Sequence, residues 1–241
     1  MAATPRVPAR VNDRRLYILA AILTPLIVLA GFARTYYLKF FFGTPDLPGR
    51  IVHLHGIIMT AWVVLFVTQI SLIATRRTRV HQRLGIIGGV LAALVVIVGI
   101  LTALFAATRA PATDRFALGF LIIPLGDMLI FSILIGLALY YRRKLPVHKR
   151  LMLLAAINLL TPAIGRIPLS FITNGGPLAF FALTDVCLLA AVAFDTIKHR
   201  RLHPVFLWGG IFIIAMQPLR LLFAATDVWM RFAAALVNLV R

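Results

Sequence analysis

The chain is short of cysteine and of acidic residues, and each shortage excludes a class of protein. Its single cysteine, Cys187, cannot form an intrachain disulfide or a thiolate metal cluster. Only seven acidic residues stand against 25 basic ones, and charged residues make up only 13% of the chain while 61% is hydrophobic. Soluble globular domains do not have this composition.

What the sequence has instead is long apolar stretches, seven in all. Most are about 20 residues or longer, which lets a helix cross a hydrocarbon layer of about 30 Å. We therefore predict an all-α fold, a polytopic transmembrane helix bundle in one domain covering 1–241. The predicted spans are 16–33, 52–74, 84–108, 116–140, 151–172, 178–197 and 205–225.

The basic residues are unevenly divided between the two ends of the predicted spans. Sixteen of the 25 lie in the first 15 residues and in the second, fourth and sixth connectors. By the positive-inside rule, the N-terminus is cytoplasmic and the C-terminus is outside. Such a basic rim attracts anionic lipid headgroups, so membrane lipids are the expected partners and nucleic acid is not.

The tail 227–241 is too short to span and predicts an amphipathic helix lying at the outer interface.

Ionisable side chains inside spans are costly and therefore mark candidate sites. Arg166 and Arg220 fall in the fifth and seventh spans, with Gln217 one turn from Arg220, while Asp127 and Asp185 fall in the fourth and sixth. Their charges cancel, and depth along the helices predicts a polar pocket in the outer half. Two interpretations stay open, a ligand-binding pocket anchored by an arginine or a pair of structural ion pairs. Arg220 with Asp127 is one predicted pair. Arg166 with Asp185 is the other, at similar depth across a short outer turn, Asn174-Gly175-Gly176-Pro177.

Two histidines, His53 and His55, lie at the outer start of the second span and are predicted to join this pocket. Their spacing puts them on different faces of a helix, so they share one metal ion only if the helix begins after His53. The alternative is that they cap the helix at the interface. We predict no metal site.

A second histidine group lies at the opposite, cytoplasmic end. His81 and His148 open the third and fifth spans, and His199 and His203 precede the seventh. Histidine pairs from different helices hold haem b in membrane cytochromes, so His81 and His148 are the candidate cofactor ligands. The alternative is a solvated basic interface, because arginines and lysines surround these rings.

Several short motifs resemble a family of uncharacterised bacterial integral-membrane proteins with no established activity. The resemblance covers about 40–170 and implies a helical fold in the bacterial inner (cytoplasmic) membrane, with no mechanism. A looser similarity to b-type cytochromes depends on histidine placement alone. The motifs are Gly43-Thr44-Pro45, His53-Leu54-His55-Gly56, Trp62, Gln69, His81-Gln82-Arg83-Leu84-Gly85, Gly126-Asp127, His148-Lys149-Arg150-Leu151-Met152 and Arg166.

No catalytic signature assigns a reaction. The sequence has no HExxH, P-loop, GxSxG or Rossmann glycine motif, and the seventh span has no lysine for a retinal Schiff base. Catalytic residues and enzymatic activity therefore stay open. We predict a membrane protein that binds a small molecule or cofactor in its outer-half pocket, with haem or quinone as redox-linked candidates. The alternative is a non-enzymatic carrier or an accessory subunit of a membrane complex, with protein partners or a homo-oligomer.

Overall fold

The computed structural model describes residues 14–111 and 113–241, and within these ranges it contains helices and no β-strand. Seven segments are long and apolar enough to cross a membrane, which confirms the predicted seven-span helix bundle. The helices are α1 Arg14–Phe32, α2 Arg50–Ala74, α3 Thr78–Thr108, α4 Arg115–Phe120, α5 Ile122–Tyr140, α6 Leu145–Asn158, α7 Thr161–Ile164, α8 Ser170–His199, α9 Pro204–Ala224 and α10 Asp227–Asn238. α1 continues through a π-helical turn, Ala33–Tyr37. α4 and α5 together form one span, and so do α6 and α7.

Helix starts coincide with residues that satisfy or avoid the unpaired N–H groups of a first turn. The Asp114 carboxylate accepts from the backbone N–H groups of Phe116 and Ala117 ahead of α4. The Thr226 hydroxyl oxygen accepts from the backbone N–H group of Trp229 ahead of α10. Pro204 opens α9, where a missing N–H costs nothing. We call the end that holds the 38–49 and 165–169 connectors the outer end, after the predicted orientation, and the opposite end the inner end.

The fifth and sixth spans differ from their predicted bounds. The fifth begins at Leu145 and is interrupted after Asn158, and the connector that follows it is 165–169. Pro168 disfavours helical backbone in the residue before it, which ends the span there. The predicted outer turn at 174–177 is wrong. That segment is a kink inside α8, where Gly176 has a φ of 55° that glycine tolerates, just before Pro177.

The broken fifth span contributes to both apolar clusters of the core, with Leu151 and Leu154 in one and Leu160 and Ile164 in the other. Trp62 of α2 packs edge-on against Phe131 of α5, with ring centroids 5.2 Å apart. Gly31 of α1 lies against the backbone of Ala163 in α7, so closely that any Cβ there would overlap its carbonyl group. This contact brings the outer end of α1 against the connector that carries Arg166.

The tail forms α10 but packs its apolar face on protein. Trp229, Ala233 and Val237 are buried among residues of α3, α4 and α5. The Trp229 indole donates to the Leu118 carbonyl oxygen at 2.9 Å. Val228 and Phe232 stay exposed on its other side. α10 therefore closes the outer end of the bundle.

Candidate functional site

The residues predicted to form one outer-half pocket lie in two separate groups. A mid-bundle group contains Asp127, Asp185, Gln217 and Arg220, on α5, α8 and α9. An outer-end group contains Arg166 and the two histidines of α2. The outer-half pocket is therefore not one site, and each group has its own chemistry.

Arg220 and Asp127 form the predicted ion pair. Arg220 Nη1 donates to Asp127 Oδ1 at 2.7 Å, and both side chains are 4% exposed. The guanidinium also donates to the carbonyl oxygens of Ile123 and Met216 at 3.0 and 3.1 Å. It lies over the Phe181 ring, 5.0 Å from the centroid. Because the charge is neutralised and the donors are well used, this pair fits the structural interpretation.

Neutral hydrogen bonds hold the interrupted fifth span beside this pair. The Asn158 amide donates to the backbone carbonyl oxygen of Asp127 at 3.0 Å. The Thr184 hydroxyl donates to Thr161 Oγ1 at 3.3 Å. Asn158, Thr161 and Thr184 are all buried, so these bonds satisfy polar groups that the interruption of the span brings into the core.

Asp185 does not pair with Arg166, so that prediction is wrong. The sequence placed both at one depth across a short turn at 174–177. α8 instead begins at Ser170 and kinks at Gly176, and Asp185 lies nine residues beyond the kink. Its carboxylate accepts from Gln217 Nε2 at 2.8 Å. Among the described residues, no cationic nitrogen lies within 4.0 Å of it.

Arg166 lies at the outer end with no carboxylate within 4.0 Å among residues 14–111 and 113–241. Its guanidinium donates to the Pro162 carbonyl oxygen at 2.9 Å and lies over the Phe32 ring, 5.0 Å from the centroid. The residue keeps an exposed surface. His55 lies within electrostatic range of Arg166, so α1, α2 and the 165–169 connector meet here.

His53 and His55 lie on different faces of α2. The helix begins at Arg50, before both, so the condition for a shared metal ion is not met. His53 is exposed and packs beside the Tyr36 ring at 5.8 Å. His55 is half-buried, and its Nδ1 is a buried atom without a hydrogen-bond partner in the described part of the chain. Only His55 therefore belongs with Arg166.

An open groove of about 400 Å³ lies on the outward face of α2. It does not include Arg166 or His55. Its walls are apolar apart from two tyrosines and a threonine, and the Tyr37 hydroxyl bonds Thr60 Oγ1 at 2.9 Å. The groove is lined by Tyr36, Tyr37, Ile57, Thr60, Ala61 and Val64.

Sequence reasoning missed the most buried ion pair, Arg150 with Asp195. Arg150 donates through Nε and Nη2 to both carboxylate oxygens of Asp195 at 2.8–3.0 Å, and the side chains are 3% and 1% exposed. Arg150 looked like one more residue of a basic connector. The available signal was Asp195, an acid inside the predicted sixth span and near its basic end, where a cation on a neighbouring helix had to meet it.

The inner-end histidines lie at two places, and His81 and His148 occupy the first. His148 Nδ1 bonds the Ala138 carbonyl oxygen at 2.8 Å and lies within electrostatic range of His81. With the Gln69 amide oriented to satisfy its hydrogen bonds, its nitrogen donates to His81 Nδ1 at 2.6 Å. A neutral His81 then carries its proton on Nε2, while His148 presents a free Nε2 lone pair. The pair offers one free imidazole nitrogen where a bis-histidine haem needs two.

His199 and His203 flank the buried Arg150–Asp195 pair. His199 Nδ1 bonds the Asp195 carbonyl oxygen at 2.8 Å. His203 Nδ1 accepts from Val205 N at 3.2 Å and caps α9. Burial, followed by the positive charge of Arg150, lowers the pKa of His203 below its usual range. The neutral ring is favoured there, as a capping acceptor requires.

Comparison with known proteins adds no relative to this geometry: no family model matches the chain, and neither a curated protein nor a solved structure matches it.

Proposed function

We propose that this multi-pass membrane protein binds a small amphiphilic molecule with an anionic headgroup at its outer end, through Arg166 and His55. One observation carries the proposal, the guanidinium of Arg166 with no carboxylate in reach among the described residues. The other two arginines of the apolar region, Arg150 and Arg220, each have an acid at 2.7–2.8 Å. The bundle therefore provides an aspartate for each arginine that is buried in its core.

The unused donors of Arg166 suit a carboxylate or a phosphate. A guanidinium has five N–H groups in a planar fork, and the structure gives Arg166 one hydrogen bond, to Pro162. A bidentate anion uses two of the remaining donors at once. His55, within electrostatic range and with Nδ1 unpartnered, adds a further polar contact. Phe32 under the guanidinium supplies an apolar surface for the adjoining part of the ligand.

This headgroup chemistry has two sources, a membrane lipid or a small molecule delivered from the outer side. The binding experiment uses purified protein in detergent and measures thermal stabilisation by decanoate, inorganic phosphate and phosphatidylglycerol, with decylubiquinone as the uncharged comparator. Stabilisation by decanoate alone indicates a carboxylate ligand, and by phosphatidylglycerol alone a lipid. A response to decylubiquinone alone would replace the anion with a quinone and support the redox-linked version.

Arg166→Gln is the test variant and Arg34→Gln its control. Arg34 lies at the same end, is likewise exposed and stacks over a different ring, that of Phe42. Loss of a charge-assisted hydrogen bond costs about 1.5–3 kcal/mol, so Arg166→Gln should weaken binding by about 10- to 100-fold. Arg34→Gln should change it little. Equal loss in both variants would mean general surface charge and would overturn the proposal.

Failure of every probe would favour the alternative, a carrier or accessory subunit that binds no small molecule at the outer end.

The haem prediction is tested separately by the visible spectrum of the purified protein. A Soret band that disappears in both His81→Ala and His148→Ala would establish these histidines as haem ligands, and a colourless preparation would rule out haem.

Reporter fusions at Arg241 and in the 142–144 connector should report opposite sides of the bacterial inner membrane, with the C-terminus outside.

A further inference from the structure

Asp185 lies within the spanning part of α8, on a side of the helix that faces lipid. It is nine residues beyond the kink at Gly176 and 14 residues before the end of the helix at His199. Its neighbours on the outward side, Ala182, Val186 and Leu189, are exposed, the last two by 61% and 55%. In a chain of seven apolar spans these surfaces face hydrocarbon. The half-buried carboxyl of Asp185 therefore sits between the lipid and the core, inside the span.

The polar surroundings of Asp185 are those of a neutral acid. Its one hydrogen bond in the described residues is the amide of Gln217 at 2.8 Å. A carboxylate has about four lone-pair positions to satisfy, and Gln217 fills one of them. The nearest cation along α9, Arg220, is one turn from Gln217 and already neutralised by Asp127. Among residues 14–111 and 113–241, no cationic nitrogen lies within 4.0 Å of Asp185.

The cost of ionisation at this position is large. An aspartate charge inside a spanning helix is costly unless a cation neutralises it. Asp127 and Asp195 each have an arginine at 2.7–2.8 Å, and within the described residues Asp185 has none. Protonation removes the charge and turns one oxygen into a donor.

We propose that Asp185 is a proton-binding site inside the membrane-spanning part of α8, occupied by a proton at neutral pH and open to the lipid side. Oδ1 accepts from Gln217, and the Oδ2 hydroxyl faces the boundary with lipid, where it is available to a neutral ligand or to proton exchange. The site is separate from the outer-end site of Arg166 and does not depend on it.

Infrared spectroscopy of the full chain in lipid vesicles tests the protonation state. A protonated carboxyl gives a C=O stretch distinct from the carboxylate bands. We expect this band in the wild type at neutral pH, and we expect Asp185→Asn to remove it. Asp127→Asn is the matched control and should leave it, because Asp127 is ionised in its pair with Arg220. A wild type without a band that depends on Asp185 would overturn the proposal.

Dicyclohexylcarbodiimide, an apolar reagent for protonated carboxyls, tests access from lipid. Peptide mass spectrometry should find the adduct on Asp185 and not on Asp127 or Asp195. Gln217→Leu should keep the labelling of Asp185. The substitution removes the amide that donates to the Asp185 carboxyl and adds no charge. Labelling of all three acids would show a loosened fold rather than a specific site. An infrared band from Asp185 without any adduct would overturn the claim that the site opens to lipid.

Discussion

In the middle of the bundle, Arg220 donates to a carboxylate and two backbone carbonyls, whereas at the outer end Arg166 donates to one carbonyl and stacks on one ring. Arg220 is 4% exposed and Arg166 keeps an exposed surface. A buried charge without a partner destabilises the fold, so the core tolerates only neutralised arginines. The outer end lies at the water interface and can hold a cation ready for an external anion.

The largest expected effect comes from breaking the most buried pair. Asp195→Asn leaves Arg150 buried without a counter-charge and should lower the free energy of unfolding by about 3–5 kcal/mol. The measurement is denaturant unfolding in mixed micelles. Asp227→Asn is the control, because its pair with Arg115 spans 3.6 Å and both side chains are 67–80% exposed, so it should change little.

Restoring neutrality should recover part of that loss. In Arg150→Met/Asp195→Leu no charge remains, and much of the stability lost in Asp195→Asn should return. Equal stability of Asp195→Asn and Asp227→Asn would contradict the view that burial decides the value of these pairs.

A somewhat smaller loss is expected from Gly126→Ala. A methyl group there would overlap the Arg220 side chain, with Nη1 only 2.7 Å away. Displacing the guanidinium from Asp127 and Ile123 should cost about 1–3 kcal/mol, measured by thermal unfolding in detergent. Gly136→Ala on the same helix is the control, because nothing lies within 4 Å of the added methyl. It should be neutral or stabilising, and a loss as large as that of Gly126→Ala would contradict the steric argument.

Asp185→Asn should have a small effect, which sharpens the contrast between paired and unpaired acids. Asparagine resembles a protonated aspartate and keeps the bond to Gln217, so the free energy of unfolding should change by no more than about 0.5 kcal/mol. Asp127→Asn should lose several times more in the same assay, because Arg220 is left unpaired. If the two variants lose equal stability, Asp185 has a cationic partner after all.

The smallest effect is expected at His203. Because its pKa is lowered in the folded protein, the unfolded chain binds the proton more readily. The stability associated with the neutral ring is present above the ordinary histidine pKa of about 6.5 and is lost as the pH falls below it. His203→Asn keeps a capping acceptor, so it should flatten this part of the stability profile below about pH 6.5. An unchanged profile would assign the titration to another group.

The seven spans were predictable because apolar length is a local property of the sequence. The Arg220–Asp127 pair was also predictable, since two opposite charges in neighbouring spans have few partners. The position of Asp185 was not, because it depends on whether Gly176 and Pro177 make a turn or a kink, and both residue types occur in either. Arg150 was hidden because a basic connector and the first turns of a helix have the same composition.

The interruption of the fifth span has a consequence for how the chain is made. Of the seven spans in the described residues, this one has the lowest mean hydropathy and is the most enclosed by its neighbours. It carries Arg150, a charge that is costly to insert without a partner, and Asp195 is synthesised 45 residues later. The translocon therefore receives a segment with little affinity for lipid before its stabilising helix exists. We expect stable insertion of the fifth span to depend on the sixth, so a chain truncated before Asp195 should insert the fifth span poorly.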